Sequence, residues 1–105
     1  RPRDHREGVL QDIHCAAGLF GYFPSYALGY VYAAQFHEAL LRDRPDLEER
    51  VAAGDLGVAR EWLEKRVHAH AARLLPGDLV REATGEEVSI RPLALYWRRK
   101  YVNEL

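Results

Sequence analysis

Apolar residues recur at steps of three and four from residue 25 to residue 41, the spacing of one face of an α-helix. Pro24 suits the first turn of this helix, and Pro45 predicts that it ends near residues 41–43. The apolar positions are Leu28, Val31, Tyr32, Phe36, Ala39 and Leu40. They surround most of the circumference, so we expect the helix to lie inside a larger protein or to leave a patch that self-association covers.

Four shorter helices are predicted downstream of the long one. Pro45 begins the first and Gly54 ends it, while Asp55 caps a second helix that runs to the break at residues 76–78. Its inward stripe is Trp62, Leu63, Val67, His70, Ala71 and Leu74. A third helix carries Leu79, Val80 and Ala83 and is closed by Gly85. The last is capped by Ser89, and its apolar face is Leu93, Tyr96, Trp97 and Tyr101. The predicted fold class is all-α, with about five helices.

Length and composition limit the classes of function that this chain could have. The chain has 105 residues and a formal net charge of −1, so we expect one domain without the strong basic surface that nucleic acid or anionic lipid attracts. The apolar run is too short to span a membrane. A single cysteine excludes an internal disulfide, which is typical of a reducing compartment and predicts a cytoplasmic location.

Three motifs with possible chemistry favour ordinary structural explanations. His37-Glu38 begins like a zinc-binding helix, but Leu41 stands where the second histidine would be needed. His68 and His70 are two residues apart, so on a helix they point to different faces. The basic, aromatic run 97–101 suits the C-terminal end of a helix as well as a phosphate-binding surface. We therefore predict no metal site and no nucleic-acid partner for this chain.

The segment from Gly8 to Gly29 is richer in chemistry than a helical core needs. It places His14 ahead of Tyr22 and Tyr26, with several glycines that widen the choice of backbone conformation. A histidine and a tyrosine that converge on one point can donate hydrogen bonds to a developing oxyanion. Purely structural roles for these side chains remain open at this level. Cys15, next to His14, is predicted to be a small packing residue.

The pattern Gly8-x-x-Gln11-Asp12-x-His14 resembles the Gly-x-x-Gln-Asp-x-His-Trp motif of the carboxypeptidase Taq family. Residues 20–29, 32–36, 79–85 and 95–101 are similar to segments that follow in that family, so the resemblance covers nearly the whole chain. Cys15 stands where the family motif has tryptophan, so a large aromatic side chain is absent beside His14.

This resemblance implies a zinc metallocarboxypeptidase that removes C-terminal residues from peptides. Members of the family are several-fold longer, all-helical and commonly homodimeric, so residues 1–105 would be a single C-terminal fragment of a larger catalytic domain. The HExxH zinc helix, the third zinc ligand and the substrate-binding arginines would lie upstream. The fragment would form one wall of the active-site cleft, hold no zinc and be inactive alone.

The family is also similar to angiotensin-converting enzyme, in which a histidine and a downstream tyrosine polarise the scissile carbonyl. Counting back from Gln35-Phe36-His37 implies Tyr26 as that tyrosine and His14 as the histidine, with Tyr22 as second choice. Gln11, Asp12 and Gly8 would support them. Two alternatives remain: a non-enzymatic helical interaction module, and a nucleic-acid-binding bundle that uses Arg98, Arg99 and Lys100.

Overall fold

The structure, a computed structural model, describes residues 3–8 and 11–102. Five α-helices lie in this part of the chain, together with short 3-10 helices at His5–Glu7 and His68–His70. The helices are α1 (Phe23–Asp43), α2 (Leu47–Ala52), α3 (Gly57–Arg66), α4 (Pro76–Thr84) and α5 (Arg91–Tyr101). The described residues contain no β-strand, which confirms the all-α prediction.

Local sequence signals set most of the helix ends. Pro24 lies in the first turn of α1, and Pro76 and Pro92 take the same place in α4 and α5. Gly85 ends α4 in the left-handed conformation with φ +78°, and its N–H donates to the Arg81 carbonyl. Asp55 and Ser89 act close to their predicted capping positions, because their side-chain oxygens accept from the amides two residues downstream.

The predicted helix from Asp55 to the break at residues 76–78 is wrong in its second half. α3 ends at Arg66, a 3-10 turn follows, and Ala71 has φ +48°. Beyond Val67 the stripe is poorly buried: Ala71 is exposed, and His70 and Leu74 are only half-buried. Because helices this short depend on tertiary packing, the missing contacts explain why the helix does not continue.

The main core lies where the second half of α1 meets α2 and α3. Its buried members are Ala39, Leu40, Leu47, Val58 and Trp62, with Phe36 and Leu63 packed against them. The Trp62 indole N–H donates to the Asp43 carboxylate at 2.8 Å, which satisfies its polar atom at the edge of the core.

A second contact joins α1 to α4 and α5 through buried Val80, Ala83 and Leu93. Gln35 is 3% exposed, and its side-chain amide donates to the Glu87 carbonyl at 3.0 Å and accepts from the Ser89 amide at 2.9 Å. We call this pair of bonds the Gln35 clamp. It fixes the connection between α4 and α5 against the long helix.

The predicted apolar face of α5 is buried only at its start. Pro92 and Leu93 are buried, whereas Tyr96, Trp97 and Tyr101 are all exposed. The Lys100 ammonium donates to the Tyr96 hydroxyl, and that bond raises the pKa of Lys100. The rest of this face meets a groove of about 840 Å³ between α1 and α5 that no described residue fills.

The chain is less compact than a typical domain of the same length. Its radius of gyration is 17.2 Å, whereas a domain of about 100 residues typically has about 13 Å. Within the described residues, no helix combines the length and apolar character that crossing a membrane requires.

Candidate active site

The loop before α1 folds back over the first turn of that helix. Its turns are closed by bonds from the Ala17 amide to the Ile13 carbonyl and from the Leu19 amide to the His14 carbonyl. Gly18 and Gly21 both have φ +75°, a conformation that costs L side chains energy. These two glycines therefore let the chain reverse, which brings His14 against the start of α1.

The His14 imidazole is bonded at both nitrogens. Nδ1 bonds the Asp12 carboxylate, and Nε2 lies 2.9 Å from the Tyr26 hydroxyl. Two loop residues and one helix residue thus form a linear chain of hydrogen bonds, Asp12–His14–Tyr26. When a carboxylate bonds one nitrogen of a histidine, the orientation of the ring is set and the other nitrogen is held in a defined position for hydrogen bonding or proton transfer.

Three aromatic rings surround the imidazole. Ring centroids of Tyr22 and Phe23 lie 5.2 and 5.1 Å from that of His14. Tyr26 lies edge-on at 5.6 Å. Among residues 11–30, His14 is the one position that is not exposed. The rings and Asp12 therefore shield a single polar group on an otherwise open surface.

The structure brings together four of the six residues predicted for the site: Asp12, His14, Tyr22 and Tyr26. Among the described residues only Tyr26 is hydrogen-bonded to His14 through its hydroxyl; Tyr22 contributes ring contact. The two tyrosines also meet each other edge-on at 5.4 Å. The geometry therefore ranks Tyr26 ahead of Tyr22 as the partner of His14.

The other two predicted residues lie outside the ring cluster. The Gln11 side chain donates to the Arg6 carbonyl at 3.0 Å, and the Gly8 carbonyl accepts from the Gln11 amide at 3.0 Å. These bonds tie Gln11 to the carbonyls of Arg6 and Gly8, so the support that Gln11 and Gly8 give to His14 is indirect.

Phe23 is a contact that the sequence interpretation missed. Its ring packs on both His14 and Tyr26. The signal was present, because Phe23 and Tyr26 are three residues apart and therefore neighbours on one helix face. Cys15 was predicted to be a small packing residue, and this is wrong, because the residue is exposed.

The described residues do not supply a catalytic zinc site. No group of three or more His, Cys, Asp or Glu side chains within residues 3–8 and 11–102 could hold a metal ion. A catalytic zinc needs three protein ligands, so the donor set found here does not fit one. His68 and His70, which we predicted to lie on a helix, lie instead on the 3-10 turn after α3.

The sequence and the helix arrangement of this chain match those of a metallopeptidase family. The family model for carboxypeptidase Taq (M32) metallopeptidases matches residues 1–101, so the chain belongs to this family. This confirms the resemblance drawn from the motif at residues 8–14.

Relatives of known name agree with the family assignment. The chain is 46% identical over 102 residues to carboxypeptidase 1 of Bacillus subtilis, and 45% identical over 100 residues to thermostable carboxypeptidase 1 of Thermus thermophilus. These alignments cover 97% and 95% of this chain but 20% of each relative. The chain therefore spans about a fifth of the length of the relatives it matches.

Solved structures share the arrangement of the helices. A crystal structure described as BsuCP superposes with a TM-score of 0.88 at 46% identity, covering 97% of this chain and 20% of that one. Metallocarboxypeptidase 1 of Trypanosoma cruzi gives a TM-score of 0.83 at 33% identity, covering 93% of this chain and 21% of that one. The open packing seen here is thus the packing of a segment found in larger family members.

Proposed function

We propose that this chain is the C-terminal part of a zinc-dependent metallocarboxypeptidase and supplies one wall of its active-site cleft. Family membership and the coverage of a fifth of each relative support this proposal. The substrate would be a peptide from which C-terminal residues are removed. The zinc and its ligands would come from outside this chain, and the 105 residues alone would be inactive.

The observation that carries the proposal is the contact between His14 Nε2 and the Tyr26 hydroxyl, 2.9 Å apart. Hydrolysis of a peptide carbonyl places negative charge on its oxygen, and donors aimed at that oxygen stabilise the transition state. A histidine and a tyrosine this close can serve the same oxygen. We assign His14 and Tyr26 as oxyanion donors, with Tyr22 as the second candidate.

The remaining predicted residues position these donors. Asp12 orients the imidazole through Nδ1, while Gln11, next to Asp12 in the chain, bonds the carbonyls of Arg6 and Gly8. A metal supplied by the larger enzyme would activate the attacking water. The residues of this chain would bind the carbonyl oxygen and hold it in place.

Assembly and location are inferred from two other observations. The open aromatic face of α5 is consistent with the homo-oligomer that we predicted, because exposed apolar patches mark contact surfaces. The cytoplasmic location rests on the single cysteine. We propose neither a nucleic-acid partner nor a membrane partner.

The coding sequence upstream of Arg1 gives the first test. An HExxH motif followed by a downstream glutamate is the expected result. A start codon directly before Arg1 would instead favour the alternative, a non-enzymatic helical interaction module, for which the exposed aromatic rings of α5 are the specific observation.

Substitution in the full-length enzyme gives the second test. Tyr26→Phe should lower kcat by roughly 10²–10³-fold, with a much smaller change in KM, because the lost donor acts mainly in the transition state. Tyr30→Phe is the matched control, since Tyr30 lies one turn further along α1 and is 63% exposed. An unchanged kcat for Tyr26→Phe would make Tyr26 structural and move the role to Tyr22. Assays of the isolated chain should find neither peptidase activity nor stoichiometric zinc.

A further inference from the structure

We propose that Asp12 fixes His14 in the tautomer with its hydrogen on Nδ1, so that Nε2 accepts the Tyr26 hydroxyl proton in a hydrogen bond. His14 and Tyr26 then form one linked pair rather than two independent donors. The tautomer follows from contacts within this chain. Its catalytic consequence rests on the function proposed above.

The Nδ1 atom of His14 faces a carboxylate. The atom bonded to it is an oxygen of the Asp12 carboxylate. An ionised carboxylate has no hydrogen and can only accept, so the hydrogen in this bond belongs to the imidazole. Nδ1 is therefore the protonated nitrogen of His14.

The Nε2 atom of His14 faces the Tyr26 hydroxyl. A neutral imidazole carries one N–H, and the other ring nitrogen is an acceptor. With the hydrogen on Nδ1, the contact of 2.9 Å between Nε2 and the Tyr26 hydroxyl has one consistent direction, in which the tyrosine donates. The edge-on arrangement of the two rings, at 84°, lets the phenol oxygen approach the edge of the imidazole where Nε2 lies.

The imidazole of His14 is largely enclosed by its neighbours. Phe23 and Tyr22 flank the ring, and the His14 side chain is 19% exposed. The titratable groups in contact with the imidazole ring are Asp12 from the loop, Tyr22 just before α1 and Tyr26 within α1. Asp12 is the one carboxylate among these groups, so its bond to Nδ1 decides which nitrogen holds the hydrogen.

As a consequence, His14 and Tyr26 can both donate to an oxyanion only when His14 is protonated. In the neutral state Nε2 has no hydrogen to offer, and the Tyr26 hydroxyl points its own at Nε2. When His14 takes up a proton, both ring nitrogens become donors. Nδ1 keeps its bond to Asp12, Nε2 can donate to an oxyanion, and the Tyr26 hydroxyl is free to donate to the same oxygen. Asp12 is thus a positioning residue, because its carboxylate holds Nδ1 and leaves Nε2 facing the Tyr26 hydroxyl.

The test is NMR of the whole 105-residue chain with ¹⁵N-labelled histidine, at a pH where the imidazoles are neutral. Long-range ¹H–¹⁵N correlations distinguish a nitrogen that carries hydrogen from one that does not. His14 is assigned by the loss of its signals in His14→Gln, and His37, His68 and His70 serve as internal comparisons. We expect protonated Nδ1 and bare Nε2 for His14. Hydrogen on Nε2 in the unsubstituted chain would overturn the proposal.

Two variants separate the bonds. Asp12→Asn should abolish the single-tautomer signature of His14 and leave the other histidines unchanged, because its amide can donate as well as accept. Tyr26→Phe should shift the Nε2 resonance while Nδ1 stays protonated. A His14 spectrum that does not respond to Asp12→Asn would show that Asp12 does not set the tautomer.

The outcome is distinguishable from that of the proposed function. The Nδ1 tautomer together with a fully active Tyr26→Phe enzyme would refute the oxyanion role and leave the tautomer proposal standing. The opposite tautomer together with a large loss of kcat would refute the linked pair and leave the oxyanion role standing.

Discussion

The two halves of α1 differ sharply although one apolar pattern runs through both. Every residue from Phe23 to Tyr30 is exposed, whereas Gln35, Ala39 and Leu40 in the second half are buried. The first half carries the aromatic rings around His14, and the second half carries the core. An apolar stripe therefore shows that a surface is made for contact, while the neighbouring elements decide whether this chain makes that contact itself.

The largest difference between the halves should appear in folding stability. Trp62→Ala removes a buried ring from the core and should lower the free energy of unfolding by about 3–5 kcal/mol. Tyr26→Ala in the exposed half should cost far less, since surface substitutions are usually within about 0.5 kcal/mol and one side-chain hydrogen bond contributes about 1 kcal/mol. Urea denaturation of both variants measures the contrast. Equal losses would refute it.

Removal of the Gln35 clamp should have the next largest effect. Gln35→Leu leaves the Glu87 carbonyl and the Ser89 amide without their partner, each at a cost of about 1–3 kcal/mol when buried. Gln11→Leu is the matched control, because the Gln11 side chain bonds a carbonyl on the exposed surface. Hydrogen exchange at the Ser89 amide should accelerate in Gln35→Leu alone. Protection that survives this substitution would show that another group holds the segment.

Two glycine substitutions should change stability in opposite directions. Gly85→Ala forces a side chain into φ +78° and should destabilise by about 1–2 kcal/mol. Gly29→Ala lies in the helical, exposed half of α1 with no atom within 4 Å of the added carbon, and should stabilise by about 0.5–1 kcal/mol. Thermal unfolding of the two variants checks the signs. A loss of stability in Gly29→Ala would mean that the first half of α1 is more constrained than its exposure indicates.

The smallest effect is a pH dependence at the start of α3. The Arg50 guanidinium lowers the pKa of Asp55, so the ionised form favours the folded state. This contribution is present at neutral pH and disappears as the pH falls through the lowered pKa. Asp55→Asn keeps an oxygen for the Gly57 amide but loses the charge. The difference in unfolding midpoint between the two proteins should shrink on acidification, and a constant difference would assign the effect to the cap alone.

Local sequence signals predicted the fold well where they act within one or two turns. Pro24, Gly85 and the capping oxygens of Asp55 and Ser89 lie where helices begin or end. Prediction failed where the answer depends on a distant neighbour. The end of α3 at Arg66 and the exposed rings of α5 follow from contacts that the rest of the described chain does not make.

The candidate site shows the same division. The motif at residues 8–14 and the count from Gln35 predicted that His14 and Tyr26 act together. In the structure His14 Nε2 lies 2.9 Å from the Tyr26 hydroxyl. Their catalytic role stays a prediction. The ring contact of Phe23 with His14 and the exposure of Cys15 depend on how the loop folds back at its glycines, which residue types alone do not specify.

The Gln35 clamp also limits how this fold can vary. The side-chain amide bonds a carbonyl and an amide two residues apart, as a neighbouring β-strand would. A segment held by two such bonds has a fixed length, because one inserted residue would turn other backbone groups toward Gln35 on α1. The loop between α4 and α5 should therefore reject insertions that surface loops usually tolerate, which makes it a poor place for grafted epitopes, fusion partners or new chain ends.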